Sequence, residues 1–260
     1  MTHIISALFL RELKTRFGKN KRLGYFWVIG EPMSIVLTIT AIATAIREYH
    51  HQVMPSGISI FMFLVVGIVP YFMFRSIVSQ LINGIEANLL LFAYKPVKPI
   101  HVFIARTCLE FCIYFTIFVS VLILAGWFLH LDVIPDYFLN VMLSFALLIG
   151  FGFVIGIGFA LIGFFFEPLK TLLNYFLIVF YWASGVIFPT WLMPRPILDV
   201  LYYNPMLHVM ELLRSNFFSN YPLQDDYNYI YPLACIMVLL FISLGAYYHN
   251  RQALIAAKKR

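Results

Sequence analysis

Six apolar stretches divide this chain, over residues 26–46, 58–74, 111–129, 138–166, 172–188 and 231–248. A helix needs about 20 apolar residues to cross the hydrocarbon of a bilayer. No water there can satisfy peptide groups, so a crossing segment must pair its own backbone. The expected fold is all-α and integral to a membrane. The composition agrees: 62% of the 260 residues are hydrophobic and 12% are charged, about half the charge of a soluble domain.

The stretch RELKTRFGKNKRLGYFWVIGEP at 11–32 sets the orientation. It carries Arg11, Lys14, Arg16, Lys19, Lys21 and Arg22, and its acids are only Glu12 and Glu31. A basic cluster abutting a span stays on the cytoplasmic side. Threading the chain from there places Arg75, Lys95, Lys98, Arg106, Lys170, Arg251, Lys258, Lys259 and Arg260 on the same side. Only Arg47, Arg195 and Arg214 of the 18 Lys and Arg fall elsewhere. The net charge of +6 is thus a topology signal facing anionic headgroups, not a nucleic-acid footprint. Six spans with both termini cytoplasmic satisfy it. Residues 1–24 form an interfacial helix and basic anchor, 25–250 the transmembrane domain and 251–260 a basic tail.

Within that frame, Ile5, Phe9, Leu13 and Phe17 recur every fourth residue beside Arg11 and Lys14. That pattern predicts an amphipathic helix over 4–17, half sunk in the headgroups; a plain stop signal is the alternative. Ser34, Thr38, Ala41 and Ala45 give the first span a small face for close packing or for lining a conduit. The segment 75–106 predicts a short helix near 83–92, ended by Pro96 and Pro99. Its Ile85, Leu89 and Leu90 either pack on the bundle or offer a socket to a partner. Arg106 and Glu110, four apart, read as a local ion pair. Gly152 and Gly156 make a close-packing step, and Cys108, Cys112 and Cys235 read as small buried hydrophobes.

Pro189, Pro194, Pro196 and Pro205 break the pattern after the fifth span. Asn204-Pro205 is a strong helix start, cap and first position together. It opens a helix to about 218 with Met206, Val209, Met210, Leu213 and Phe217 on one side. Glu211 and Arg214 argue against a continuous crossing, so 189–218 reads as short re-entrant helices covered by protein.

The chain has no G-x-x-x-x-G-K-[ST] loop to cradle ATP, no zinc-protease or serine-hydrolase motif, and no carboxylates paired at workable spacing. Neither a cofactor nor a metal is expected in it. His130 and Asp132 are too few for a metal site. Glu31, Glu110 and Glu167 lie toward the cytoplasmic ends of spans, whereas ion-coupled transporters keep such groups in mid-bilayer. A self-powered transporter is disfavoured. Aromatics around the fifth span, including Tyr175, Tyr181 and Trp182, suit interface belts or flat faces along a glycan path.

Three stretches together resemble a known family. RELKTRFGKNKRLGYFWVIGEP, with Glu31-Pro32 opening the first span, resembles the start of permease subunits of type-2 ABC exporters of bacterial polysaccharide. IEANLLLFAYKPVKPIHVFIAR resembles their coupling region, closest to the capsular branch in YKPVKP. YYNPMLHVMELLRSNFF resembles their Asn-Pro helix before the last span. The resemblance implies a homodimer in the bacterial inner membrane, driven by two copies of a separate ATPase that holds ATP and magnesium. It implies that Gly84, Ile85, Glu86, Ala87, Asn88, Leu89, Leu90, Leu91 and Phe92 seat in the ATPase groove. Arg11, Lys14, Arg16 and Phe17 would anchor the interface helix beside them. Ser34, Thr38, Tyr175, Tyr181 and Trp182 become conduit candidates. The cargo is lipid-linked capsular polysaccharide, handed to periplasmic and outer-membrane export proteins. The rivals are an O-antigen or teichoic-acid exporter, a passive channel, and a membrane transferase acting on lipid-linked sugar.

Overall fold

The computed structural model describes residues 2–16, 21–50, 54, 58–93, 97–223 and 226–256, and all regular structure among them is helical. Phe17, residues 94–96 of the YKPVKP stretch, Asp225 and the last four residues of the basic tail lie outside the described residues.

The helices run α1 (Thr2–Arg16), α2 (Lys21–Tyr49), α3 (Ile60–Ile82), α4 (Pro99–Leu129), α5 (Phe138–Phe165), α6 (Leu169–Ala183), α7 (Arg195–Leu201), α8 (Pro205–Phe217) and α9 (Ile230–Ala256). Five are long and apolar enough to cross a membrane: α2 from Val28, α3, α4, α5 and α9 to Gln252. The third is the hub. Its apolar stretch is 72% buried inside the protein, against 11% for α2 and 22% for α9. Around it pack α5, α4, α2, α8 and α6, while α9 closes on α5 and α1 lies against α4.

The glycine step seats α5 on this hub. A methyl group at Gly152 would stand 3.1 Å from Ile77, and one at Gly156 only 2.8 Å from Leu81. Two bare positions one turn apart let the helices approach nearly backbone to side chain. On the other flank of α5, Ser243 donates to the Val154 carbonyl at 2.9 Å, tying down α9.

Several expectations are corrected. The stretch 172–188 does not form one helix: α6 stops at Ala183 after 15 residues, about 22 Å and short of the hydrocarbon thickness. The short helix expected near 83–92 is two single turns, Glu86–Asn88 and Leu91–Ala93. The third span begins earlier, because Pro99 takes the first helical position of α4, where its missing N–H costs nothing. The stripe of α1 is not free for headgroups: Ile5, Phe9 and Leu13 pack on the core and Leu8 is buried, leaving Leu10 outward. Cys108 and Cys112 are exposed on the outer face of α4 and Cys235 is half-exposed, so none is a buried core residue. His130 adopts a left-handed conformation (φ 51°) and ends α4.

Candidate functional site

The segment after α3 is divided residue by residue between the bundle and the outside. Ile85, Asn88 and Phe92 are buried, and Gly84 sits beside Phe103. Leu89 and Leu91 are half-buried against the core. Glu86, Ala87 and Leu90 face outward, Leu90 with 82% of its surface exposed. The choice between packing and presentation therefore falls differently for neighbouring leucines. Such short turns cannot bury every side chain, and Leu90 is the leucine left outward.

Asn88 joins this segment to α1. Its side-chain carbonyl accepts from Arg11 at 2.6 Å, and its amide donates to the Gly84 carbonyl at 3.0 Å and to Glu12 at 3.4 Å. Glu12 also accepts from Arg106 at 3.2 Å, and Arg106 donates to the Gln80 carbonyl at 2.7 Å. One turn on, Arg16 pairs with the buried Glu110, whose other oxygen accepts from Ser76 at 2.6 Å. Glu86 pairs with Lys170 at the start of α6. The expected Arg106–Glu110 pair is thus replaced by two longer-range ones. α1 supplies a carboxylate to Arg106 and a guanidinium to Glu110, and both charges gain partners that a neighbour on their own helix could not supply together. Buried charges need such complete pairing; removing one partner typically costs ~3–5 kcal/mol. Lys14 is exposed, and Phe17 is outside the described residues. The outcome is a corner in which hydrogen bonds and ion pairs join α1, the turns after α3, α4 and the start of α6.

A second cluster covers the break after α6. Gly185 turns the chain with φ +64°, exposing carbonyls that a continuing helix would have satisfied. Three side chains, from α2 and α8 with its cap, reach them. Asn204 donates to the Ala183 carbonyl at 3.0 Å, Arg214 to those of Gly185 (2.7 Å) and Val186, and Arg47 to that of Ile187. Arg214 is fully buried, pairs with Glu211 at 3.4 Å, and lies 3.9 Å from the centre of the Phe63 ring. Glu211 accepts from Thr190 at 2.9 Å and Tyr221 at 2.7 Å. Burial, and next the Glu211 charge, push the Tyr221 phenol well above its ordinary value, so it remains a donor. Non-helical backbone inside a membrane protein survives only with this kind of coverage. Asn204 also caps α8, accepting from Met206 at 3.0 Å, and Met206, Val209, Met210, Leu213 and Phe217 are all buried.

Arg47 and Arg214 therefore both lie in the protein interior. The signal in the sequence was an opposite pair three apart, Glu211 and Arg214, in an otherwise apolar helix. Nothing in the sequence pointed to Arg47 or to the carbonyls it covers.

The conduit candidates do not share one surface. Ser34 and Thr38 are on the exposed face of α2, their hydroxyls bonded back to Glu31 and Ser34 carbonyls. Tyr175 and Trp182 are exposed on α6, whereas Tyr181 turns inward with its ring 5.0 Å from Tyr71 and 6.1 Å from Phe72.

A family model described as ABC-2 type transporter matches residues 3–218, a stretch holding the first cluster and all of the second but Tyr221. The chain belongs to the ABC-2 type transporter family. It is 36% identical over 253 residues to the polysialic acid transport protein KpsM of Escherichia coli, covering 97% of this chain and 95% of that one. It is 28% identical over 245 residues to the capsule polysaccharide export inner-membrane protein CtrC of Neisseria meningitidis serogroup A (93% and 89% covered). It is 27% identical over 220 residues to the capsule polysaccharide export inner-membrane protein BexB of Haemophilus influenzae (84% and 80% covered). As an ABC-2 transporter chain it is an integral membrane protein, and its five long apolar helices accord with that.

Proposed function

We propose that this ABC-2 chain is the membrane subunit of an ATP-driven exporter that moves lipid-linked capsular polysaccharide across the bacterial inner membrane. The observation that carries this is end-to-end similarity to capsule-export inner-membrane proteins, 97% of the chain aligning with the polysialic acid transporter. Two copies would assemble with two copies of a separate ATPase, which holds ATP and magnesium; no cofactor is assigned to this chain. Periplasmic and outer-membrane export proteins would receive the polymer. In this reading the chain crosses six times with both termini cytoplasmic. The fifth crossing is α6 completed by the covered backbone at 184–189, and α7 and α8 are re-entrant. Leu90, Glu86 and Ala87 meet the ATPase, and the Arg11–Asn88–Glu12–Arg106 linkage carries its closure into α1 and α4. The exposed α2 and α6 faces, with Ser34, Thr38, Tyr175 and Trp182, supply the walls between the two copies.

Proteoliposomes holding the chain and its ATPase test this. ATP-dependent appearance of lipid-linked polysaccharide on the far leaflet is the expected result. Passage without nucleotide would make the chain a channel and overturn the proposal.

A further inference from the structure

Beside α3, between Pro32, Ile35 and Ile39 of α2 and Tyr114 of α4, lies a cleft of about 280 Å³. Phe72, Arg75, Ser79 and Gln80 form its α3 wall. It runs on into a second cleft of about 290 Å³ that reaches the Arg16–Glu110 pair, sharing Pro32, Ser76, Gln80 and Tyr114. Among the described residues, Arg75 is the only charged one lining the first cleft. Arg11, Arg16, Arg47, Arg106 and Arg214 all have oxygen partners. Arg75 has no hydrogen bond or ion pair among the described residues, and its guanidinium carbon merely stands 6.0 Å from the Phe72 ring centre. Seven residues separate it from the end of α3 at Ile82, about 10 Å along the axis.

On the transporter reading Arg75 lies inside the spanning helix α3 rather than past its cytoplasmic end, and a charge held within a span is costly and points to a ligand. The walls define the ligand. An apolar α2 side faces one guanidinium, with Ser76, Ser79, Gln80 and Tyr114 also in the lining, and the cleft is not sealed, since Ile35 at its edge is 47% exposed. A soluble anion would leave Ile35 and Ile39 unused, and a neutral lipid would leave the charge unpaired.

We propose that Arg75 is the headgroup site for a lipid with a net-anionic phosphate headgroup, its acyl chains lying along Ile35 and Ile39. Guanidinium suits phosphate because two parallel N–H groups can meet two oxygens. The site deepens the transporter reading and rests on it for placing the cleft in the inner leaflet. Two sources carry the same chemistry, a bilayer phospholipid and the lipid anchor of an exported polymer.

The test is native mass spectrometry of the chain purified with its ATPase. One preparation keeps native lipid. Another is passed through nanodiscs of equal phosphatidylglycerol and phosphatidylcholine. One anionic phosphate-bearing lipid per copy is expected on the wild type, largely kept in Arg75→Lys. Retention should fall about tenfold or more in Arg75→Gln, as loss of a charge-assisted pair implies. Ile39→Glu, which sets a carboxylate across the cleft, should give the same loss and stands in if Arg75→Gln does not fold. A retained mass of phosphatidylglycerol identifies a bilayer lipid, and a glycan-bearing mass identifies the polymer anchor. Equal retention by wild type and both cleft variants, or retention of phosphatidylcholine as readily as phosphatidylglycerol, overturns the site. The readout needs neither ATP nor export, so failure of the site and failure of the exporter reading are separable.

Discussion

Arg106 and Glu12 stand 94 positions apart and meet with nitrogen and oxygen 3.2 Å from one another, their side chains only 7% and 10% exposed. This pair fastens α1 to the start of α4. Glu12→Ala leaves Arg106 with only the Gln80 carbonyl, and the expected loss of stability is ~3 kcal/mol. In a double-mutant cycle with Arg106→Ala, unfolding in mild detergent should show a coupling of about 1–2 kcal/mol. Additive losses would show that the pair does not hold the corner.

Asn88 bonds to Arg11, Glu12 and the Gly84 carbonyl at once. Asn88→Leu keeps the volume and removes all three bonds. Amide hydrogen exchange across Thr2–Arg16 should speed up by about tenfold, while α5 stays protected, because local opening follows local contacts. Uniform change across the chain would instead mean global destabilisation.

Glu86 and Lys170 also pair, but the Glu86 side chain is 41% exposed. Exposed pairs contribute little, so Glu86→Ala should shift unfolding by less than about 1 kcal/mol. Thermal melts beside Glu12→Ala give the comparison. A loss as large as that of Glu12→Ala would show Glu86 to be more deeply engaged.

At Gly67 an added methyl would stand 2.4 Å from the Arg214 guanidinium and 2.8 Å from the Val186 carbonyl. Gly67→Ala must therefore displace the group that covers the α6 break, a strain of ~1–3 kcal/mol. Arg214→Lys should fare no better, since one ammonium cannot reproduce the fork reaching Gly185, Val186 and Glu211. Both variants should accumulate poorly and expose residues 184–189 to protease in membranes. Wild-type levels with no new cleavage would contradict this.

Local chemistry was legible in the sequence and long-range choice was not. The run from Phe138 to Phe165 is bracketed by Asp136 and Glu167, so α5 could be placed nearly to the residue. Asn204-Pro205 announced α8, because a cap and a first-turn proline act within one turn. Arg106 and Glu110 misled because the nearest partner on a helix is the default, and α1 outbid it from far along the chain. The end of α6 was hidden for a related reason: apolar residues continue to Phe188, and the break at Gly185 persists only because Arg214, Asn204 and Arg47 cover its carbonyls. Leu89, Leu90 and Leu91 look alike in sequence, and the geometry of two short turns decides that Leu90 alone of the three is exposed.

Under the proposed function this exposed corner meets a partner ATPase, and Leu90 is the side chain at which to probe that contact. The chain should be drawn gently from native membranes as wild type and as Leu90→Asp, and each eluate assayed for ATP hydrolysis. At 82% exposure the substitution disturbs no packing, so the variant should be present at wild-type level. The account predicts that an ATPase accompanies the wild type and is largely lost from Leu90→Asp. An ATPase equally abundant with both, or with neither, would contradict it.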